Sequence, residues 1–300
     1  MPEGDLLYRF LFENLAIRGH LVRLDASWRA AIEHHDYPRP VSDALGEALA
    51  ASVLMAGSLK FQGRLSLQVE GPGPVRLLLA QCTHRHAIRG VARHRELPGE
   101  CADAAALFGG GRLAVTIEQE GRGDQYQGLV AIEQPRLSGC LEQYFERSEQ
   151  LPSRLLLAAR PDRAAGFLLQ RVAVGGAPAA APLAADGEDA WRRIGFLLAT
   201  LSSGELLDLP CRDILRRLFA NDDIRLFDGT PVFFQCSCSR ERVSGILQAL
   251  GADEIQSLLR DQGDVEVRCE FCNRGWRFDA VDVAGLFSAG GRRQTPPGLH

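Results

Sequence analysis

The sequence predicts an α+β protein: an N-terminal antiparallel-sheet core with helices, a helical linker, and a small C-terminal α+β domain. Three observations predict it. Between residues 63 and 133, apolar residues alternate in short runs separated by glycine turns, and long helical patterns flank these runs instead of alternating with them. Residues 175–189, GGAPAAAPLAADGED, offer almost no side chain worth burying. Beyond them, four of the eight cysteines gather into two tight pairs, Cys236 with Cys238 and Cys269 with Cys272. The expected divisions are a core over 1–174, a flexible and helical linker over 175–231, the C-terminal domain over 232–287, and a disordered tail over 288–300.

Taken in order, Asp5–Phe12 and Ile17–Leu24 read as strands, and Ser27 as the N-cap of a short helix, Trp28–His35. His34 and His35, beside prolines, read as plain surface. Ser42 opens a long helix to Ser58, with Leu45, Leu49 and Val53 at helical spacing. Leu65, Leu67 and Val69 then alternate, a GPGP turn follows, and Val75–Ala80 returns. Ile88–Ala92, Arg112–Glu118 and Gln125–Ile132 add strands. The run Gly109-Gly110-Gly111 precedes a strand and no helix, so it reads as a turn, not as a phosphate loop. Ser138 is the expected cap of the next helix, and Arg154–Ala159 and Phe167–Ala173 are expected to close the sheet.

After the Ala/Pro/Gly-rich stretch come three short amphipathic helices: Trp191–Thr200, Ser202–Leu207 with a Ser202/Glu205 capping box, and Pro210–Ala220. Helices this short are marginal alone and must lean on a neighbour. Ile224–Phe227 and Val232–Phe234 are extended segments. Ser239 caps Arg240–Leu250, Asp253 caps a second helix that Gly263 ends, and Val265–Arg268 with Trp276–Phe278 form a hairpin whose tip carries the second cysteine pair.

Composition bounds the function. The 300 residues are 46% hydrophobic and 24% charged, as in a soluble globular protein, and the net charge of −4 argues against a nucleic-acid or anionic-membrane binder. No apolar run reaches the roughly 18 residues of a membrane span. The first residues carry acids and no apolar signal region, so a cytoplasmic location is expected, where thiols stay reduced.

In that setting two thiol pairs around a compact insert read as a metal site, with Zn2+ the favoured ion. No histidine lies between Gln235 and Asp279, so the ligands would be Cys236, Cys238, Cys269 and Cys272. Three functions fit such a module. A zinc ribbon for nucleic acid is disfavoured, because six arginines face nine acids between Val232 and Asp282, a local net of −3 before the thiolates. A thioredoxin-like oxidoreductase is disfavoured because Cys269-x-x-Cys272 sits at a hairpin tip, not at a helix start. The third is a redox switch. Four thiols pair in three ways, and one of these is local on both sides. Two local disulfides hold nothing across the insert that a metal would span, so oxidation would melt the module. The linker helices would then expose Ile194, Phe196, Leu197, Leu201, Leu206, Leu207, Leu215 and Phe219, an apolar surface suited to other exposed apolar surfaces.

The chain resembles the heat shock protein 33 family of redox-regulated 33 kDa chaperonins. The resemblance is carried by LKFQGRLSLQVEGPGPVRLLLAQC, YQGLVAIEQPRLSGCLEQYFERSEQLPSRL, ILRRLFANDDIRLF, and by CSCSRERV with VEVRCEFCNRGWRFD. It implies an ATP-independent holdase and no enzyme, inactive when reduced and zinc-bound. Oxidants would form the disulfides Cys236–Cys238 and Cys269–Cys272, release zinc and unfold the linker. The oxidised form would dimerise and capture unfolding client proteins. Cys82, Cys101, Cys140 and Cys211 lie outside the motif and read as small buried or incidental thiols. The alternative is a zinc-stabilised protein-binding adaptor without redox control.

Overall fold

A computed structural model describes residues 4–97, 103–121, 125–172 and 185–288. The tail over 289–300, Cys101 and most of the Ala/Pro/Gly-rich stretch lie outside the described residues. The chain divides into two compact units, one ending at Gln235 and one beginning at Cys236.

The first unit opens with β1 (Leu6–Phe12) and β2 (Ile17–Leu24), antiparallel, with Leu6 opposite Arg23 and Leu11 opposite Arg18. The short helix α1 (Ala26–Ile32) follows. Ser27 is not its cap. Asp25 holds that position without a side-chain bond. The free donors are met by Asp5, whose carboxylate accepts from the backbone N–H of Asp25 at 3.0 Å and of Ala26 and Ser27 at 2.9 Å each. The residue just before β1 supplies the acceptors that a capping residue would otherwise give.

Helix α2 (Arg39–Ser58) begins a turn earlier than Ser42, with Pro40 in its first turn, where a missing N–H costs nothing. Leu45, Leu49, Val53 and Leu54 are fully buried on it. Next come β3 (Gly63–Glu70), β4 (Val75–Thr83), β5 (Ala87–His94), α3 (Ala104–Phe108), β6 (Arg112–Gln119) and β7 (Gln125–Ala131). The sequence pattern missed α3, which is a single turn. Asp103 caps it, accepting from Ala106 N–H at 2.7 Å, and Gly109 ends it at φ 67°, so the triple glycine serves as helix stop and turn. Helix α4 (Leu137–Ser148) starts after Arg136, without the expected cap from Ser138.

β8 (Ser153–Arg160) and β9 (Arg163–Arg171) do not close the sheet of β3–β7. β9 pairs with β2, Phe167 opposite Leu21, and there are two six-stranded sheets instead of one. The physical reason is α2, which is buried on nearly every side and packs against strands of both sheets.

The remaining elements of this unit are α5 (Ala185–Ala199), α6 (Ser203–Asp208), α7 (Cys211–Leu218), β10 (Ile224–Leu226), β11 (Thr230–Pro231) and β12 (Phe233–Phe234). The sheet orders are β10-β1-β2-β9-β8, with β11 also on β1, and β12-β5-β4-β3-β6-β7. Among the described residues every ladder is antiparallel except β12 on β5. The first sheet is apolar on both faces. Leu7, Val22, Leu24 and Leu168 join α2 in one core, while Phe10, Phe12, Ile17, Leu21, Phe167 and Leu169 face α5–α7 in another. The short helices thus find their burial partner on this sheet.

The second unit contains α8 (Arg240–Leu250), α9 (Ala252–Gln262), β13 (Val265–Arg268), β14 (Gly275–Phe278) and α10 (Ala280–Ser288). Ser239 caps α8 as expected, accepting from Arg242 N–H at 3.2 Å. Asp253 does not cap α9; Gly251, at φ 99°, occupies that position. Asp279 starts α10, which the sequence reading missed, by accepting from the N–H of Val281 and Asp282 at 2.9 and 2.8 Å. The small core comprises Val243, Leu247, Ile255, Val265, Phe278 and Val283. Among the described residues no helix is long and apolar enough to cross a membrane.

Candidate metal centre

The hairpin β13–β14 presents the second cysteine pair. Val265 stands opposite Phe278 and Arg268 opposite Gly275, which leaves residues 269–274 as the tip. Cys269 N–H donates to Arg274 C=O at 3.0 Å, and Asn273 N–H donates to Cys269 C=O at 2.7 Å. Asn273 takes φ 51°, a left-handed conformation that asparagine tolerates better than most residues. This tight loop puts both thiols on one side of the hairpin.

The first pair lies on the extended chain between β12 and α8. Arg242 reaches back from α8, its Nη1 donating to Ser237 C=O at 3.1 Å and to Ser237 Oγ at 2.8 Å. That fixes the residue between Cys236 and Cys238. Arg240 lies over the Phe278 ring at 4.4 Å, pairs with Asp282 at 2.7 Å and donates to Arg277 C=O at 3.1 Å. The two arms of the cluster are therefore also joined by contacts that involve no sulfur.

The four Sγ atoms all lie within 4.8 Å of one another. Two contacts run across the pairs: Cys236 to Cys269 at 3.6 Å and Cys238 to Cys272 at 3.4 Å. Sulfurs at ~2.3 Å from a tetrahedral zinc would be about 3.8 Å apart. The quartet fits that requirement with small adjustments, and soft all-thiolate donors match zinc chemistry. Cys236, Cys238 and Cys269 are half-buried and Cys272 is buried. Burial pushes the Cys236 and Cys238 thiols up, and hydrogen bonds to neighbouring sulfurs push Cys238 further. At Cys269 burial is outweighed by the backbone N–H groups of Cys272 and Phe271, so its thiol is held down. Four such groups cannot all ionise at this separation without a cation among them.

The remaining expected residues lie in the first unit. Ile194, Leu201, Leu206, Leu207, Leu215 and Phe219 are buried against the sheet, and Leu197 is partly buried. Phe196 is 73% exposed. Phe219 meets Phe12 edge-on at 5.1 Å, and Phe10 lies 5.6 Å from Phe167. The sequence reading passed over this strand face and the buried Trp191, Leu198, Ile214 and Leu218. The signal was present in β1, LLYRFLF, where both alternate sets are apolar but for Arg9, close to what a doubly covered strand requires. Cys82, Cys140 and Cys211 are buried, Cys211 in the core between sheet and helices.

Residues 5–279 match the family model described as Hsp33 protein. A 33 kDa chaperonin of Nitrosococcus oceani is 45% identical over 289 residues, covering 96% of each chain. That of Shewanella woodyi is 39% identical over 284 residues, covering 95% of this chain and 96% of the relative. The crystal structure of a 33 kDa chaperonin from Thermotoga maritima shares the fold, with a TM-score of 0.78 at 23% identity over 95% of this chain and 99% of that one.

Proposed function

The chain belongs to the Hsp33 family, and from that premise we propose that it is a redox-regulated, ATP-independent holdase of the cytoplasm. Its clients are unfolding proteins, it dimerises when oxidised, and it binds neither nucleic acid nor membrane. Cys236, Cys238, Cys269 and Cys272 are the ligands of one zinc ion in the reduced, resting state. Bound there, zinc supplies a cross-link between the two arms of a module too small to fold well alone.

The observation that carries this reading is the direction of the sulfur contacts. Two of them span the insert, from residue 236 to 269 and from 238 to 272. The disulfides Cys236–Cys238 and Cys269–Cys272 close within each arm. Two thiolates give up two electrons as each S–S bond forms, and a peroxide accepts them with two protons from solvent as it becomes two waters. Sulfurs engaged in these bonds no longer serve as ligands. Every sulfur-mediated link across the insert is then gone, and 232–287 loses its fold.

Residues 175–231 act as the linker. The described part lies on the first sheet, and its continuity with Cys236 passes through β10–β12, which are held chiefly by main-chain pairing. Release of this layer would present Ile194, Phe196, Leu197, Leu201, Leu206, Leu207, Leu215 and Phe219 to clients, together with the strand face they now cover.

The test follows zinc release under peroxide alongside suppression of aggregation of a thermally unfolding client. The expected result is that both rise together and reverse with reductant. Retained zinc, or zinc loss without any change in aggregation, would leave the adaptor without redox control as the better account.

A further inference from the structure

The segment from Ile224 to Gln235 does something its burial does not explain. Only Val232 is buried within it. Yet it occupies an edge of both sheets: β10 and β11 lie antiparallel on β1, and β12 lies parallel on β5. It is held by main-chain bonds, among them Phe227 N–H to Arg9 C=O at 2.9 Å, Val232 N–H to Asp5 C=O at 2.8 Å and Gln235 N–H to Ile88 C=O at 3.0 Å. Beyond Val232 in the core and Ile224, Leu226 and Phe234 half-buried against core residues, its side-chain attachments lie at the surface, such as Arg225 with Glu13 at 2.6 Å and Phe227 beneath Arg9 at 4.5 Å. Segments with few buried apolar contacts open at the lowest free energy. This one also runs straight into Cys236.

What it covers is an unusual edge. β1 reads LLYRFLF, apolar except for Arg9, which lies over Phe227 of the covering segment; long apolar edge strands are templates for pairing with other chains unless they are covered or charged. We propose that the edge of β1, once vacated by residues 224–231, is a client-capture site that takes an extended backbone segment of an unfolding protein as an added antiparallel strand. The proposal rests on the redox-holdase reading above. A main-chain ladder reads no side chains, so it accepts arbitrary sequence, which is what an unfolding client offers. The resting occupant, the chain's own extended segment, already shows the register: Phe10 opposite Leu226 and Leu11 opposite Arg225.

The test uses the full-length protein and a fluorescent peptide of residues 222–232, DDIRLFDGTPV. Its binding is measured by anisotropy on reduced and oxidised protein, together with displacement of a bound client. In this ladder Phe227 N–H points at β1, and Leu226 N–H points away. The peptide is expected to bind only the oxidised protein and to displace client. N-methylation at Phe227 should weaken it about tenfold, equivalent to about 1.4 kcal/mol, while N-methylation at Leu226 leaves it unchanged. Equal binding of the two methylated peptides means side-chain adhesion and overturns the edge. No binding to oxidised protein means the edge stays covered, which also overturns it. Methylation-sensitive binding without client displacement, or with exchange of residues 224–231 between two copies, assigns the edge to another occupant and overturns client capture there. Failure of oxidised protein to suppress aggregation before any peptide is added refutes the holdase reading separately.

Discussion

In the first unit, α2 lies between two six-stranded sheets, and a further helical layer covers the outer face of one of them. In the second, a handful of apolar side chains around Phe278 share their work with four clustered thiols. The first is stabilised by burial, which no oxidant can reach. The second, on the proposed reading, depends on thiols, the atoms that an oxidant attacks first. On the redox-holdase reading, a chemical signal dismantles the second unit and lifts α5–α7 while the two-sheet core of the first stays folded. That asymmetry is what a regulated binding protein needs, since the surface that binds must survive the event that exposes it.

The most forceful way to break this comparison is to take the metal away without oxidation. A structural zinc contributes roughly 10–16 kcal/mol of apparent folding free energy. Chelation, or Cys269→Ser, is expected to abolish slow amide exchange at Val243, Leu247 and Ile255 while Leu45, Leu49 and Val53 on α2 stay protected. Persistent protection in the second unit would mean that its apolar core suffices and the thiols are incidental.

The complementary experiment removes burial and spares the thiols. Phe10 is fully buried against Phe167 and Phe12. Phe10→Ala should cost about 3–5 kcal/mol in denaturant unfolding of the first unit, with zinc content and affinity unchanged. A parallel loss of zinc would show that the two units are not independent.

A smaller effect comes from Glu47 on α2, beside a cavity of about 400 Å³ also lined by Asp43, Asp103, Arg39 and Arg136. Burial, then the charge of Asp43, raises its carboxyl from 4.5 to about 7, against the pull of Arg136. The folded state keeps this proton over the range where the unfolded chain gives it up, so stability falls as pH rises from about 4.5 to 7. The ionised group then opposes folding by up to about 3 kcal/mol. Glu47→Gln should match the parent near pH 4 and exceed it at pH 8, by urea midpoint. Parallel profiles would remove Glu47 from the account.

How much of this was legible depended on the range over which each signal acts. Alternation in β3, β4 and β6 and the glycine stops of α8 and α9 are local, and they were readable. The cap that Asp5 provides to α1 comes from twenty residues upstream of Asp25, and no spacing rule reports it. The split into two sheets was encoded in β1, β2 and β9, whose apolar residues fall on both faces, but reading it required knowing that α2 is enclosed. α10, AVDVAGLFS, is too uniformly apolar to show a helical stripe. The four cysteines declared themselves by spacing, yet which sulfurs touch across the insert is a property of the fold.

The smallest effect sharpens the comparison inside the helical layer. Ser202 and Glu205 were readable as a capping box, and the structure closes it: Glu205 N–H donates to Ser202 Oγ at 3.2 Å and Ser202 N–H to Glu205 Oε2 at 2.9 Å. Ser202→Ala should cost about 1 kcal/mol. At its other end α6 is tied to the sheet, with Asp208 accepting from Arg160 at 2.7 and 3.0 Å and Leu207 C=O accepting from Arg163 at 2.9 Å. Losing the cap should therefore loosen α6 without detaching it. Amide exchange at Leu206 and Leu207 should quicken roughly fivefold in reduced protein, the equivalent of that free energy. Zinc affinity should not move, because the cap belongs to the unit held by burial. The oxidised protein should capture as much client as the parent, since a layer that has already lifted has no cap to lose. A variant that captured client while still reduced would instead show that this layer, and not the thiols, sets the threshold.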